Sequence, residues 1–170
     1  MDEIGLARGT VRLEAYNASW PQLYEGEANL IRDVVHIEPS NVQHIGSTSI
    51  PGILAKPIID IAVLVDSLDR AEEWKDKLAS IGYWYKGMQP NMPDRRFFAK
   101  GPEDRRIVYL HLVDKDEFKW LIKFRDLLIN NEQLATEYAQ LKQNLAVGNE
   151  NNRANYSRLK NNFIQGILNK

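Results

Sequence analysis

Between His44 and Ile61 the chain reads His-Ile-Gly-Ser-Thr-Ser-Ile-Pro-Gly-Ile-Leu-Ala-Lys-Pro-Ile-Ile-Asp-Ile, a set of residue types that suits a polyphosphate. Gly46 lets the backbone come close to a ligand. Backbone N–H groups and the hydroxyls of Ser47, Thr48 and Ser49 can cradle phosphate oxygens at a helix start. Lys56 adds a positive charge, and Asp60 can hold the magnesium ion that accompanies a nucleoside triphosphate. A plain turn between two strands has the same composition, so the loop alone does not separate the two readings. Asp60 says more. By period-2 alternation it shares a face with Ile58, Ala62 and Leu64 inside an apolar run, where a carboxylate is costly unless paired or metal-bound. The alternative is a buried aspartate paired with an arginine or capping backbone amides.

Other side chains extend this set. His111 alternates with Tyr109 and Ile107. If its strand neighbours that of Asp60, the two face one cleft, and His44, just before the Gly-Ser pair, can join them. Two imidazoles and a carboxylate can bind a transition metal, and a histidine can serve as acid or base; a buried structural role accounts for His44 and His111 equally well. Alternation divides the next basic stretch into Arg96, Phe98 and Lys100 on one face and Arg95, Phe97 and Ala99 on the other, and either can aim cations at an anion. Arg105 and Arg106 read as edge-protecting charges. Arg125 and Lys160 lie on helical segments. The first can reach the cleft or pair with Asp126, and the second is equally an ordinary exposed lysine.

The elements that position these groups follow from periodicity. Residues 11–16 alternate as a short strand or extended arm. Ser19 caps a helix with Pro21 in its first turn and Gln22 at the reciprocal capping position, carrying Leu23, Tyr24, Leu30, Ile31, Val34 and Val35 towards a core and ending near Pro39. Residues 42–45 form a strand and 46–52 a small-residue loop. Residues 57–65 are almost all apolar or β-branched, the pattern of a strand covered on both faces. Residues 68–81 fit a helix closed by Gly82. A strand at 83–86 and a loop at 87–94 come next. A hairpin then pairs 95–100 with 106–113. Three helices follow, marked by Phe118, Leu121, Ile122, Phe124, Leu127 and Leu128, then by Leu134, Tyr138, Leu141 and Leu145, then by Tyr156, Leu159, Phe163 and Ile167. The expected fold is α/β or α+β: one domain over 1–170, with a mixed sheet core at 10–115 and packed helices at 116–170.

Composition narrows the function. The chain has 170 residues, 22 basic and 23 acidic, a net charge of -1 and no cysteine. Disulfides, thiolate zinc sites and cysteine nucleophiles are excluded. Nothing marks a nucleic-acid groove or an anionic membrane. The longest apolar run, 58–65, is far too short to span a bilayer, and the acidic start lacks the features of a signal peptide. The expected location is the cytoplasm and the expected partner a small anionic or nucleotide ligand; the oligomeric state is not readable.

The stretch from His44 to Ile61 resembles the signature of the GrpB (UPF0157-like) family of small bacterial proteins. The likeness spans nearly the whole chain, from Tyr16-Asn17-Ala18-Ser19-Trp20-Pro21 through Arg95-Arg96-Phe97-Phe98, Leu110-His111-Leu112, Phe124-Arg125-Asp126 and Tyr138-Ala139-Gln140-Leu141-Lys142 to Tyr156-Ser157-Arg158-Leu159-Lys160. That family in turn resembles nucleotidyltransferases, whose pattern is a Gly-Ser pair, a strand with two carboxylates one residue apart, and a third carboxylate on a neighbouring strand. Those carboxylates hold two divalent metals. The resemblance implies a nucleotidyltransferase-like sheet, a phosphate-bearing ligand at Gly46 to Ser49, and ligand contacts from Arg96 and Lys100. It also implies a divalent metal, magnesium or manganese, or a transition metal if Asp60 and His111 both ligate. The chain departs from the pattern at Ala62, where the second carboxylate belongs, and at His111, where no third acid follows. A two-metal centre needs bridging carboxylates. The sequence therefore supports either metal-dependent nucleotidyl transfer or a binding module without turnover.

Overall fold

A computed structural model describes residues 4–89 and 92–168. In chain order its elements are β1 (Leu6–Ala7), α1 (Trp20–Val35), β2 (Val42–Ile45), β3 (Ile59–Leu64), α2 (Arg70–Ala79), β4 (Tyr83–Gln89), β5 (Met92–Lys100), β6 (Arg105–Arg106), β7 (Val108–Val113), α3 (Lys115–Ile129), α4 (Glu132–Ala146) and α5 (Arg153–Leu168). Five strands form a mixed sheet in the order β2-β3-β7-β5-β4, and β1 and β6 form a separate two-stranded ladder. Only β3 and β7 run parallel in the five-stranded sheet; its other neighbours are antiparallel.

The two faces of the sheet have different cover. On one, Trp20, Ile31 and Val35 of α1 and Leu78 of α2 pack on Ile59, Ile61, Val63, Phe98, Leu110 and Leu112. On the other, Ile45, Ala62 and Val113 meet Phe118 of α3. The last three helices build a core of their own with Ile50 and Ile53 from the loop after β2. β3 is covered on both faces, as its continuous apolar run requires: Ile59, Ile61, Ala62 and Val63 are fully buried. No helix among the described residues is long and apolar enough to cross a membrane.

Several local expectations are corrected. Ser19 does not cap α1. Its N–H and hydroxyl both donate to Asn17 Oδ1, at 2.9 and 2.8 Å, and the turn built by Asn17 starts the helix instead. Leu23 and Leu30 are exposed, and Trp20 and Ala28 take their place in the core. The helix stops at His36, whose left-handed φ of 55° ends it before Pro39. Of the two readings of residues 11–16, strand or extended arm, the arm is the one found, with an isolated bridge from Glu14 to Ala55. The expected loop at 87–94 is instead the end of β4 and the start of β5, with register shifts around Gly87 absorbing the irregular sequence; residues 90 and 91 lie outside the described set. Leu127 is on the exposed side of α3, and α4 buries Ala135, Tyr138 and Lys142 rather than Leu134 and Leu141, which are only partly covered.

Candidate functional site

An open cleft of about 1150 Å³ lies between the sheet and the C-terminal helices. Its floor is the parallel pair β3 and β7. Asp60 is in register with Tyr109, and Ala62 with His111. Alternation sends Asp60 and His111 to the same face, and the imidazole Nε2 lies 3.2 Å from Asp60 Oδ1. The shared cleft expected from the sequence is therefore present. A bond to an ionised carboxylate needs the proton on Nε2, which leaves Nδ1 as an unprotonated acceptor. That nitrogen is buried and has no hydrogen-bond partner among the described residues. Charging His111 would place an unsatisfied N–H there, so burial lowers its pKa even though Asp60 pulls upward. Burial also opposes the Asp60 charge, but the bond from His111 and the charges of Lys56 and Lys160 outweigh it and hold the carboxyl below its ordinary range. The pair is thus a carboxylate and a neutral imidazole at neutral pH.

Gly46 closes this end of the cleft. Its φ of 71° and ψ of -174° belong to a region open only to glycine. A Cβ there would lie 2.7 Å from Asp60 Oδ2. The glycine therefore lets the backbone press against the carboxylate, which adds a second reason to the close ligand approach read from the sequence. Ser47 begins a short 3-10 turn that lines the cleft, and Ser49 closes the turn by donating to the Gly46 carbonyl at 2.6 Å. Thr48 also borders the cleft, but its hydroxyl is engaged behind the loop with His44 Nε2 at 3.0 Å and the Ile58 carbonyl at 3.3 Å.

Ser49, whose hydroxyl is spent on the Gly46 carbonyl, does not line the cleft, and four more sequence-predicted residues lie elsewhere. His44 pairs in register with Ile61, one step from Asp60, so it faces the opposite side of the sheet. There it stacks on Tyr24 with ring centroids 4.8 Å apart, and burial lowers its pKa to about 4. Lys100 also points to that side, where it pairs with Glu27 of α1 at 2.8 Å. Arg96 shares its parity and donates to the carbonyls of Pro93 and Arg95. Arg125 braces β2 by donating to Gln43 Oε1 and the His44 carbonyl, both at 3.0 Å, and to Asp126. The other face of β5 supplies the cleft instead, through Phe97 and Arg95, the latter ion-paired with Glu117. Lys56 and Lys160 do reach the cleft, and Lys56 lies over the Tyr156 ring at 5.2 Å.

Sequence reasoning passed over most of the positive charge. Arg8, Lys86, Arg106, Lys142 and Arg153 all line the cleft. Arg106, read as an edge charge, is 4% exposed. Lys142 is buried, donates to the Leu54 carbonyl and lies over the Tyr138 ring at 4.7 Å. Its i,i+4 spacing from Tyr138 was the available signal. Burial, and then the neighbouring Lys160, lower its pKa to about 7. Burial, then Arg153 and Lys160, hold Lys56 well below the usual lysine range, while Asp60 pulls it back up.

Residues 10–170 match the model of the GrpB protein family. The chain belongs to that family. A UPF0157 protein of Halalkalibacterium halodurans is 38% identical over 140 residues, covering 81% of this chain and 70% of its own. The crystal structure of GrpB from Enterococcus faecalis superposes with a TM-score of 0.75 at 28% identity, over 92% of this chain and 99% of that one. The Cid1 poly(U) polymerase, solved with MgGTP bound, has a TM-score of 0.50 at 15% identity, over 76% of this chain and 42% of its own. The fold of this GrpB member is thus nucleotidyltransferase-like. Its donor set does not fit a two-ion centre. Ala62 is fully buried where the second carboxylate belongs, His111 is in register with it, and His44 is on the far side of the sheet. Among the described residues, no three His, Asp or Glu side chains converge. Asp60 and His111 bond to each other rather than presenting free donors to an ion.

Proposed function

We propose that the cleft binds a nucleotide or another phosphate-bearing small molecule and holds its phosphates on the chain's own cations. The observation that supports this reading is the lining: eight basic side chains against three acidic ones, around a Gly-Ser loop. Phosphate on Lys56, Lys160 and the Ser47 backbone would gain charge-assisted bonds. In this reading Asp60 is a positioning residue. Its carboxylate pulls the proton affinity of Lys56 back up against burial and the neighbouring cations, and its bond fixes the His111 ring. The Cid1 fold, known with a nucleotide bound, agrees with a nucleotide as the ligand class. With one carboxylate of the three that a metal pair needs, the reading is of a binding module without two-metal turnover.

The test is thermal unfolding with nucleotides and with inorganic pyrophosphate, each with and without magnesium or manganese. A ligand at 100 times its dissociation constant stabilises the fold by about 2.7 kcal/mol. Stabilisation without metal, weakened in Lys160→Gln, is expected. Stabilisation that appears only with divalent metal would favour metal-dependent nucleotidyl transfer. No effect from any phosphate compound would end the binding reading.

A further inference from the structure

Beyond Lys56, Lys142 and Lys160, a second group of cations borders the same cleft. Arg8, Lys86, Arg106 and Arg153 come from four separate places: the turn after β1, then β4, β6 and the first residue of α5. The chain holds them together deliberately. The β1–β6 ladder sets Leu6 against Arg106 and Ala7 against Arg105, which brings Arg8 and Arg106 to one edge. Arg106 Nη1 donates to the carbonyls of Pro102, Glu103 and Arg105, and its guanidinium lies 4.4 Å from the Trp84 ring centroid. The Arg153 guanidinium lies 4.9 Å from the Tyr109 ring, and its backbone N–H donates to the Gly9 carbonyl at 3.3 Å. The Arg8 N–H donates to the Asp104 carbonyl at 3.0 Å.

These charges act on one another. After burial, the neighbouring arginines are what lower the proton affinity of Lys86, and Arg8 and Arg153 do the same to Arg106. Asp104 opposes this at Arg106 without reversing it. Holding like charges together costs free energy that an anion would return. Arg153 borders both groups, since its charge also acts on Lys56.

We propose that Arg8, Lys86, Arg106 and Arg153 form a second phosphate subsite, so that the cleft takes two phosphate-bearing groups at once. This deepens the binding reading given above, and the two can fail separately. The experiment is calorimetric titration with inorganic pyrophosphate. The native chain should take up two pyrophosphates. Arg8 and Lys86 are exposed, so Arg8→Gln/Lys86→Gln should fold normally by circular dichroism. It should lose one of the two sites, with that affinity falling at least ~10-fold as charge-assisted bonds are removed. Lys160→Gln should weaken the other site and spare this one, and Arg8→Lys/Lys86→Arg should restore two. A single pyrophosphate, weakened by Lys160→Gln and untouched by Arg8→Gln/Lys86→Gln, would overturn the second subsite and leave the Asp60 end intact. A single pyrophosphate with the reverse pattern would overturn the two-site claim and move the one phosphate site from the Lys160 end to these four residues. No binding at all would overturn both.

Discussion

Replacing Gly46 with alanine tests how tightly the loop is built on Asp60. Two separable costs follow. The first is backbone strain: φ of 71° with ψ near 180° is a region that an L side chain enters at about 1–3 kcal/mol. The second is contact: the new Cβ would meet Asp60 Oδ2 at 2.7 Å and Cγ at 3.2 Å, so the carboxylate must turn away. That breaks its bond to His111, and a hydrogen bond to a charged group is worth about 1.5–3 kcal/mol. Gly46→Ala should therefore lower stability by about 2.5–6 kcal/mol in the native background. Asp60→Ala removes Oδ2 and Cγ and leaves only a Cβ contact at 3.1 Å. In that background Gly46→Ala should cost about 1–3 kcal/mol, the strain alone. Urea unfolding of the four proteins gives the coupling, expected near 2 kcal/mol and well above the error of such cycles. Equal costs in the two backgrounds would show that the loop does not rest on the carboxylate, and the account of Gly46 would be wrong.

Three further outcomes are expected. Lys142 has a folded pKa of about 7 against an ordinary 10.5, so the unfolded chain binds more protons across that window and stability rises with pH. Relative to Lys142→Met, the native chain should gain about 2 kcal/mol between pH 7 and 9, read by denaturant titration; parallel curves would mean that the ammonium is not desolvated. His44 has a folded pKa of about 4 against 6.5, so stability held above pH 6.5 is lost as pH falls towards 4. That acid loss should approach 3 kcal/mol, roughly 1.4 per pH unit, and should disappear in His44→Gln, whatever that variant's stability at pH 7. Ala62→Asp should destabilise by several kcal/mol, on the order of an unpaired buried charge, because it places a carboxylate among Ile45, Val113 and Phe118. A stable variant with new affinity for manganese would instead reveal a site needing only its lost acid.

The sheet was legible because its strands are buried on both faces and leave continuous apolar runs; residues 57–65 and 106–113 could hardly be read otherwise. The Asp60–His111 contact was legible for a related reason, since alternation fixes the face once two strands are known to be neighbours. The same rule misplaced His44, Arg96 and Lys100, because which face carries the cleft depends on where α1 and α3 pack, and no local pattern records that. Most of the cleft's cations were not legible either. Arg8, Lys86 and Arg153 are distant in sequence, and only the β1–β6 ladder and the start of α5 bring them together. Lys142 lies beside an apolar stripe, and the lysine rather than Leu134 or Leu141 takes the buried position.

The lining of the cleft has a kinetic consequence. With eight basic and three acidic side chains it carries a formal charge of +5, while the chain as a whole is -1, leaving -6 for the rest of the molecule. An anion approaching the wrong side is repelled, and one near the mouth is drawn in by a field focused between low-dielectric walls. Its encounter rate should therefore fall steeply as ionic strength rises and the Debye length shrinks to about 8 Å at physiological salt. Departure depends on short contacts that salt screens far less, so residence time should change little over the same range.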